Sequence, residues 1–192
     1  MRTPRAVRVA VAGALLWGMA GVMLPAQAVN QDSLLVVDFQ NRVDAYMKVR
    51  KRAQSDVPAL KPTDSPEDIA EHKRHLFHKV REARPHARQG AVFTPQVSDL
   101  FRRLIAAELR GPDAAQVRAS LRRAAPVPPQ PLRPNASYPE GLPLQSTPPS
   151  LLLDLPRLPQ GLEYRIVGRD LVLLDVDAGL IVDYLPRALP PP

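Results

Sequence analysis

The 192-residue chain contains no cysteine. That excludes a disulfide framework, a thiolate nucleophile, a Cys-ligated zinc or iron–sulfur centre and lipid attachment through an N-terminal Cys. Aromatic residues make up only 5% of the sequence, and none is interleaved with the basic clusters, so the base-stacking component of a single-strand nucleic-acid binder is missing. Glycine occurs nine times, without a phosphate-cradling loop or a Gly-x-Ser-x-Gly elbow, and no His-Glu-x-x-His is present. The four histidines all fall between His72 and His86, so a Ser-His-Asp site would have to draw its base from one short stretch. Enzyme activity is not expected.

One long apolar run exists, Val9 to Leu24, behind the basic residues Arg2, Arg5 and Arg8. Its 16 residues include three glycines and fall short of the roughly 20 that span a bilayer. A break at Pro25 leads into Ala26-Gln27-Ala28, small residues at the −3 and −1 positions that signal peptidase requires. Residues 1–28 therefore read as a secretory signal cleaved after Ala28, with no twin arginine, which predicts a periplasmic or secreted protein without a membrane span. Cleavage removes three of the 26 basic residues and none of the 19 acidic ones, lowering the net charge from +7 to +4. Nucleic acid loses its main attraction as a partner.

The remainder divides by composition. Residues 29–125 carry helical signals: Phe39, Val43 and Tyr46 at i, i+4, i+7; Ser65 as N-cap with Pro66 at N1 and early acids; Thr94 as N-cap with Pro95 at N1; a stop at Gly111-Pro112; and a shorter segment with Val117 and Leu121. Each helix is apolar on one side only, which predicts a hairpin or small bundle. Between Pro126 and Pro159, 11 of 34 residues are proline, which fixes φ and removes donors, so residues 126–161 are expected to be an extended belt without regular helix. Residues 162–186 alternate apolar and polar around Gly168-Arg169, with Gly first as a type II′ turn prefers, and around Asp177-Ala178-Gly179. This predicts a three-stranded antiparallel meander, followed by a proline-rich tail at 187–192. Three strands are marginal alone, so the sheet must lie on the helices, the belt or a partner. The fold class is thus α+β.

Few side chains suggest chemistry. His72, His75 and His78 lie three apart in the second helix with Glu71 and Glu82 nearby, a set able to take Ni²⁺, Co²⁺, Cu²⁺ or Zn²⁺. At 100° per residue the three sweep through about 120°, so one ion bridges at most two of them. Exposed polar residues are the ordinary occupants of such a face. Arg50-Lys51-Arg52, Arg102-Arg103 and Arg122-Arg123 suit an anionic envelope surface, or are simply solvated helix faces among interspersed acids. Asp175-x-Asp177-x-Gly179 resembles the start of a calcium loop, but the glycine comes one place early and position 12 is Pro186. Asp170, Asp175, Asp177 and Asp183 read as turn acids near water, poor general acids. Asn135-Ala-Ser137 matches the glycosylation acceptor pattern.

The chain as a whole resembles a group of exported bacterial proteins without assigned activity. The stretch Tyr164-Arg-Ile-Val-Gly-Arg-Asp-Leu-Val-Leu-Leu-Asp-Val-Asp-Ala-Gly-Leu-Ile-Val-Asp183 is also similar to the C-terminal β-motif of small periplasmic nickel/cobalt-homeostasis regulators. The resemblance implies a periplasmic setting and transfers no ligand residue. The expected function is a non-enzymatic interaction or structural module of the cell envelope, without a cofactor, docking an envelope protein or an anionic envelope surface, in part through an open strand edge of the meander. The alternative is periplasmic metal-ion homeostasis through His72, His75 and His78.

Overall fold

A computed structural model describes residues 30–112, 114–123, 131–138 and 148–190. The expected signal at 1–28, much of the belt and the last two tail residues lie outside these. Five helices and three strands follow in order: α1 Gln31–Ser55, α2 Pro66–Ala83, α3 Pro95–Glu108, α4 Ala114–Arg123, α5 Pro149–Asp154, β1 Leu162–Val167, β2 Asp170–Asp175 and β3 Leu180–Leu185. The architecture is α+β, as the composition implies.

Helix starts are set by side-chain oxygens that satisfy orphan amides of the first turn. Asn30 accepts from Asp32 N at 3.1 Å, Ser65 from Asp68 N at 3.2 Å and Thr94 from Val97 N at 3.3 Å. The exception to expectation is α5, a helix inside the proline-rich belt. Its first residue is Pro149, at the one helical position where proline costs nothing because its missing N–H would have had no partner. Leu151 and Leu155 are then buried on the α3 side, while Leu153 is 86% exposed.

The sheet is the expected antiparallel meander in order β1-β2-β3. Val167 pairs with Asp170 across a two-residue turn in which Gly168 takes φ 62°, and Gly179 takes φ 61° in the second turn. A bulge at Val182 shifts the β2–β3 register between Leu173 and Leu174, a device that bends a strand and re-aims its side chains.

Of the three possible supports, the sheet uses the helices for one face and the belt for the other. Phe39 of α1, Phe93, Phe101 of α3 and Tyr164 of β1 form one aromatic cluster, with centroids 4.9 Å apart for Phe39–Phe101 and 6.0 Å for Phe101–Tyr164. Tilted contacts at such distances suit the ring quadrupoles. On the opposite face Val167, Val172 and Ile181 pack under Leu132 and Tyr138. Residues 131–138, here called the strap, also pair with β3: Asn135 N donates to Ile181 O, Ile181 N to Ala136 O and Tyr138 N to Gly179 O, at 2.8–3.0 Å. The β3 edge expected to be open is thus occupied by the chain itself along Leu180 and Ile181.

Candidate functional site

Two features stand out, a buried polar network and an open groove beside it. The network begins on α1, where buried Phe39, Val43, Tyr46, Arg50 and Ala53 recur at heptad-like spacing. Arg50 was expected on a solvated face, yet it lies four residues after Tyr46 and so falls on the same inward stripe. Its Nε stands 2.9 Å from Asp175 Oδ2 as an ion pair without hydrogen-bond alignment, and its Nη2 pairs with Asp177. Tyr46 donates its hydroxyl to Asp175 Oδ2 at 2.6 Å, and Ala178 N donates to Asp175 Oδ1 at 3.0 Å.

Asp175 and Asp183 are therefore not turn acids near water; both are fully buried. Asp183 gathers the loop before α3: Gly90 N and Tyr184 N donate to Oδ1 at 3.1 and 2.8 Å, and Val92 N and Phe93 N donate to Oδ2 at 2.7 and 2.9 Å. A buried carboxylate survives only when its lone pairs are met, and here backbone amides meet them. Asp170 and Asp177 stay at the surface, where Asp170 accepts from Arg187 N at 2.8 Å.

Arg84, just past α2, ties the network to the strap. Its guanidinium lies 4.8 Å from the Tyr46 ring centroid in a cation–π contact. Nη1 donates to Asn135 Oδ1 at 3.0 Å, Nη2 to Val182 O at 3.2 Å, and Asn135 Nδ2 donates back to Arg84 O at 2.5 Å. Asn135 adopts φ 62° to do so, a left-handed conformation that asparagine tolerates better than most residues. The side chain of the glycosylation pattern is consequently engaged in a clasp. Burial pushes the Arg84 guanidinium below the usual arginine range, opposed by Tyr46, Asp183 and Asp175; burial, with Asp175 beside it, pushes the Tyr46 phenol well above the usual tyrosine range.

Outside the clasp, an open groove of about 840 Å³ runs between the end of α2 and the strap. Phe77, His78, Arg81 and Glu82 form one wall, and residues 133–137 the other. Arg81 and Arg133 face it with one acid, Glu82, against them. Arginines close to a partly apolar floor of Phe77, Pro85 and Pro134 can bind carboxylates with less competition from water than on an open surface.

The three histidines singled out by spacing do not converge. His72 is half-buried at the margin of α2, whereas His75 and His78 are exposed, and among the described residues no three His, Asp or Glu side chains are placed to hold one ion. His75 Nε2 lies 3.9 Å from Glu71 Oε1. Of the arginine pairs, Arg102 donates to Pro186 O at 3.2 Å and Arg103 to Asp32 at 2.5 Å; the side chains of Arg122 and Arg123 lie outside the described set. No helix of the described residues is long and apolar enough to cross a membrane. Arg81, Arg84 and Arg133 carry no signal in the sequence reading, and Asn135 enters it only through the glycosylation pattern. The end of α2 and residues 133–135 are distant in sequence and are brought together by the strap folding back on β3.

Comparison with family models, curated proteins and solved structures finds no match to the chain.

Proposed function

We propose that this is an exported, non-enzymatic protein of the cell envelope that docks an acidic, extended segment of another envelope protein in the groove between α2 and the strap. The observation that carries the reading is how the polar groups are spent. The buried acids, Asp175 and Asp183, are committed to Tyr46, Arg50 and backbone amides, which favours a structural over a catalytic role for them. Arg81 and Arg133 instead line an open concave surface. The signal-like residues 1–28 and the resemblance of the meander to periplasmic proteins support export, as does α1 being capped by Asn30 directly behind the expected cleavage site.

A charge reversal tests the docking. The double variant Arg81→Glu, Arg133→Glu is compared with the native chain for co-purification of a crosslinked partner from intact cells, with unchanged melting as the folding control. Loss of the complex only in the double variant is expected. Equal recovery of the same partner from both proteins would remove the groove as the docking surface.

A further inference from the structure

We propose that the outward stripe of α1 rests on an anionic phospholipid surface, with Leu34 and Val37 entering the headgroup layer and Lys48, Lys51 and Arg52 meeting lipid phosphates. The inference is independent of the docking groove and uses none of its residues. Residues 34, 37, 41, 44, 48, 51, 52 and 55 lie within an arc of about 100° on a helix of 100° per residue. All of them are exposed, and they stand opposite the buried stripe of Phe39, Val43, Tyr46, Arg50 and Ala53. The outward stripe is apolar towards its N-terminal end and basic towards its C-terminal end, with Asp44 as its acid.

Two observations separate this face from an ordinary solvated one. The core does not use Leu34 and Val37: Leu35 and Val36 turn partly inward, whereas Leu34 and Val37 are 56% and 50% exposed. A helix that met only the core would carry polar residues at those two positions. The basic side chains, in turn, are uncommitted. Arg42 is paired with Asp38, Arg50 with Asp175 and Asp177, Arg102 with Asp99 and Arg103 with Asp32, but among the described residues no acid pairs with Lys48, Lys51 or Arg52. Apolar tips and long basic side chains on one face suit a headgroup layer, because the tips leave water while the cations reach phosphate. The shape favours lipid over an acidic protein segment. The stripe runs along the convex side of a helix of 25 residues, about 37 Å long, which a flat surface can touch at both ends, whereas an extended segment is held by a groove or a strand edge.

The test is co-sedimentation of tag-free protein, purified as the cell processes it, with vesicles of equal parts phosphatidylglycerol and phosphatidylcholine, against vesicles of phosphatidylcholine alone. Binding is expected to the anionic vesicles only and should weaken steeply with added salt. The triple variant Lys48→Gln, Lys51→Gln, Arg52→Gln is expected to lose about a hundredfold in partition, since each Lys or Arg near an anionic surface contributes about fivefold. Leu34→Gln with Val37→Gln should lose at least about threefold at unchanged net charge. A second triple variant, Arg74→Gln, Arg88→Gln, Arg110→Gln, removes the same charge from exposed positions away from α1 and should stay within about threefold of native binding. Far-UV circular dichroism confirms that the helices remain formed in each. No binding to the anionic vesicles, an equal loss in the two triple variants, or binding indifferent to Leu34 and Val37 would each overturn the assignment.

Discussion

Replacing Asp183 by Ala should be among the most damaging single changes in the molecule. The carboxylate is fully buried and accepts from Gly90, Val92 and Phe93 as well as from Tyr184. A hydrogen bond to a charged group contributes about 1.5–3 kcal/mol, and an orphaned buried amide costs about 1–3 kcal/mol. Val92 N and Phe93 N make the two buried bonds, and Gly90 N makes a partly buried one, so the expected loss is about 4 kcal/mol. That is a large share of the 5–15 kcal/mol typical of a domain and corresponds to a fall in Tm of about 8–16 °C for a chain of this size. Asp183→Asn should cost nearly as much, since its NH₂ would face backbone donors that need an acceptor. Asp170→Ala, which removes one exposed bond to Arg187 N, should cost less than about 1 kcal/mol. Urea unfolding followed by circular dichroism measures all three. A loss below about 1 kcal/mol for Asp183→Ala would refute the idea that this carboxylate organises the loop before α3.

Other outcomes follow from the same geometry. Tyr46→Phe leaves Asp175 short of a buried donor at 2.6 Å and should destabilise by about 1–3 kcal/mol, whereas Tyr138→Phe removes a buried hydroxyl that has no partner and should be neutral or stabilising. Gly161 has φ 87°, and a Cβ there would sit 2.8 Å from Asp177 Oδ2, so Gly161→Ala should lower Tm by several degrees, about 1–2 kcal/mol, through strain and a displaced Arg50–Asp177 pair. Burial raises the phenols of Tyr46, Tyr138 and Tyr164 above the usual range. Because the folded value lies above the unfolded one, their contribution is complete below about pH 10 and is lost as pH rises beyond it. A phenolate absorbance titration should therefore show these three ionising late, Tyr46 and Tyr164 together with unfolding; reversible ionisation of Tyr46 in the native state near pH 10 would contradict the burial. Asn135→Ala opens the clasp on Arg84 and should raise amide exchange of residues 135–138 and Ile181 while sparing β1.

How much of this was legible from the sequence follows from the range of each signal. Caps at Ser65 and Thr94, the Phe39–Val43–Tyr46 stripe and the Gly168 turn are local patterns, and each element appears where its pattern lies. Arg50 was misplaced because three consecutive basic residues look solvated, although its i+4 relation to Tyr46 was visible. Asp175 and Asp183 resemble polar punctuation of strands; only their partners, 129 residues away for Tyr46 and about 90 for Val92 and Phe93, show that they are interior groups. The α5 helix was hidden by proline counting, which does not distinguish Pro149 at a first helical turn from proline in an interior. The groove was out of reach altogether, since α3 and α4 separate Arg84 from the strap in the chain, and α5, β1 and β2 separate the strap from β3. His75 and His78 were singled out together with His72, and the helix geometry separates the three.

The most direct measurement is site-specific photocrosslinking in intact cells, with the crosslinker placed in turn at Arg81 and Ser137 in the groove and at Arg52 on α1. Docking in the groove predicts one and the same envelope protein captured from Arg81 and Ser137, not from Arg52, and contacted through an acidic segment when the crosslinked peptide is mapped. Capture of that protein from Arg52 alone, or the same yield from all three positions, would contradict it.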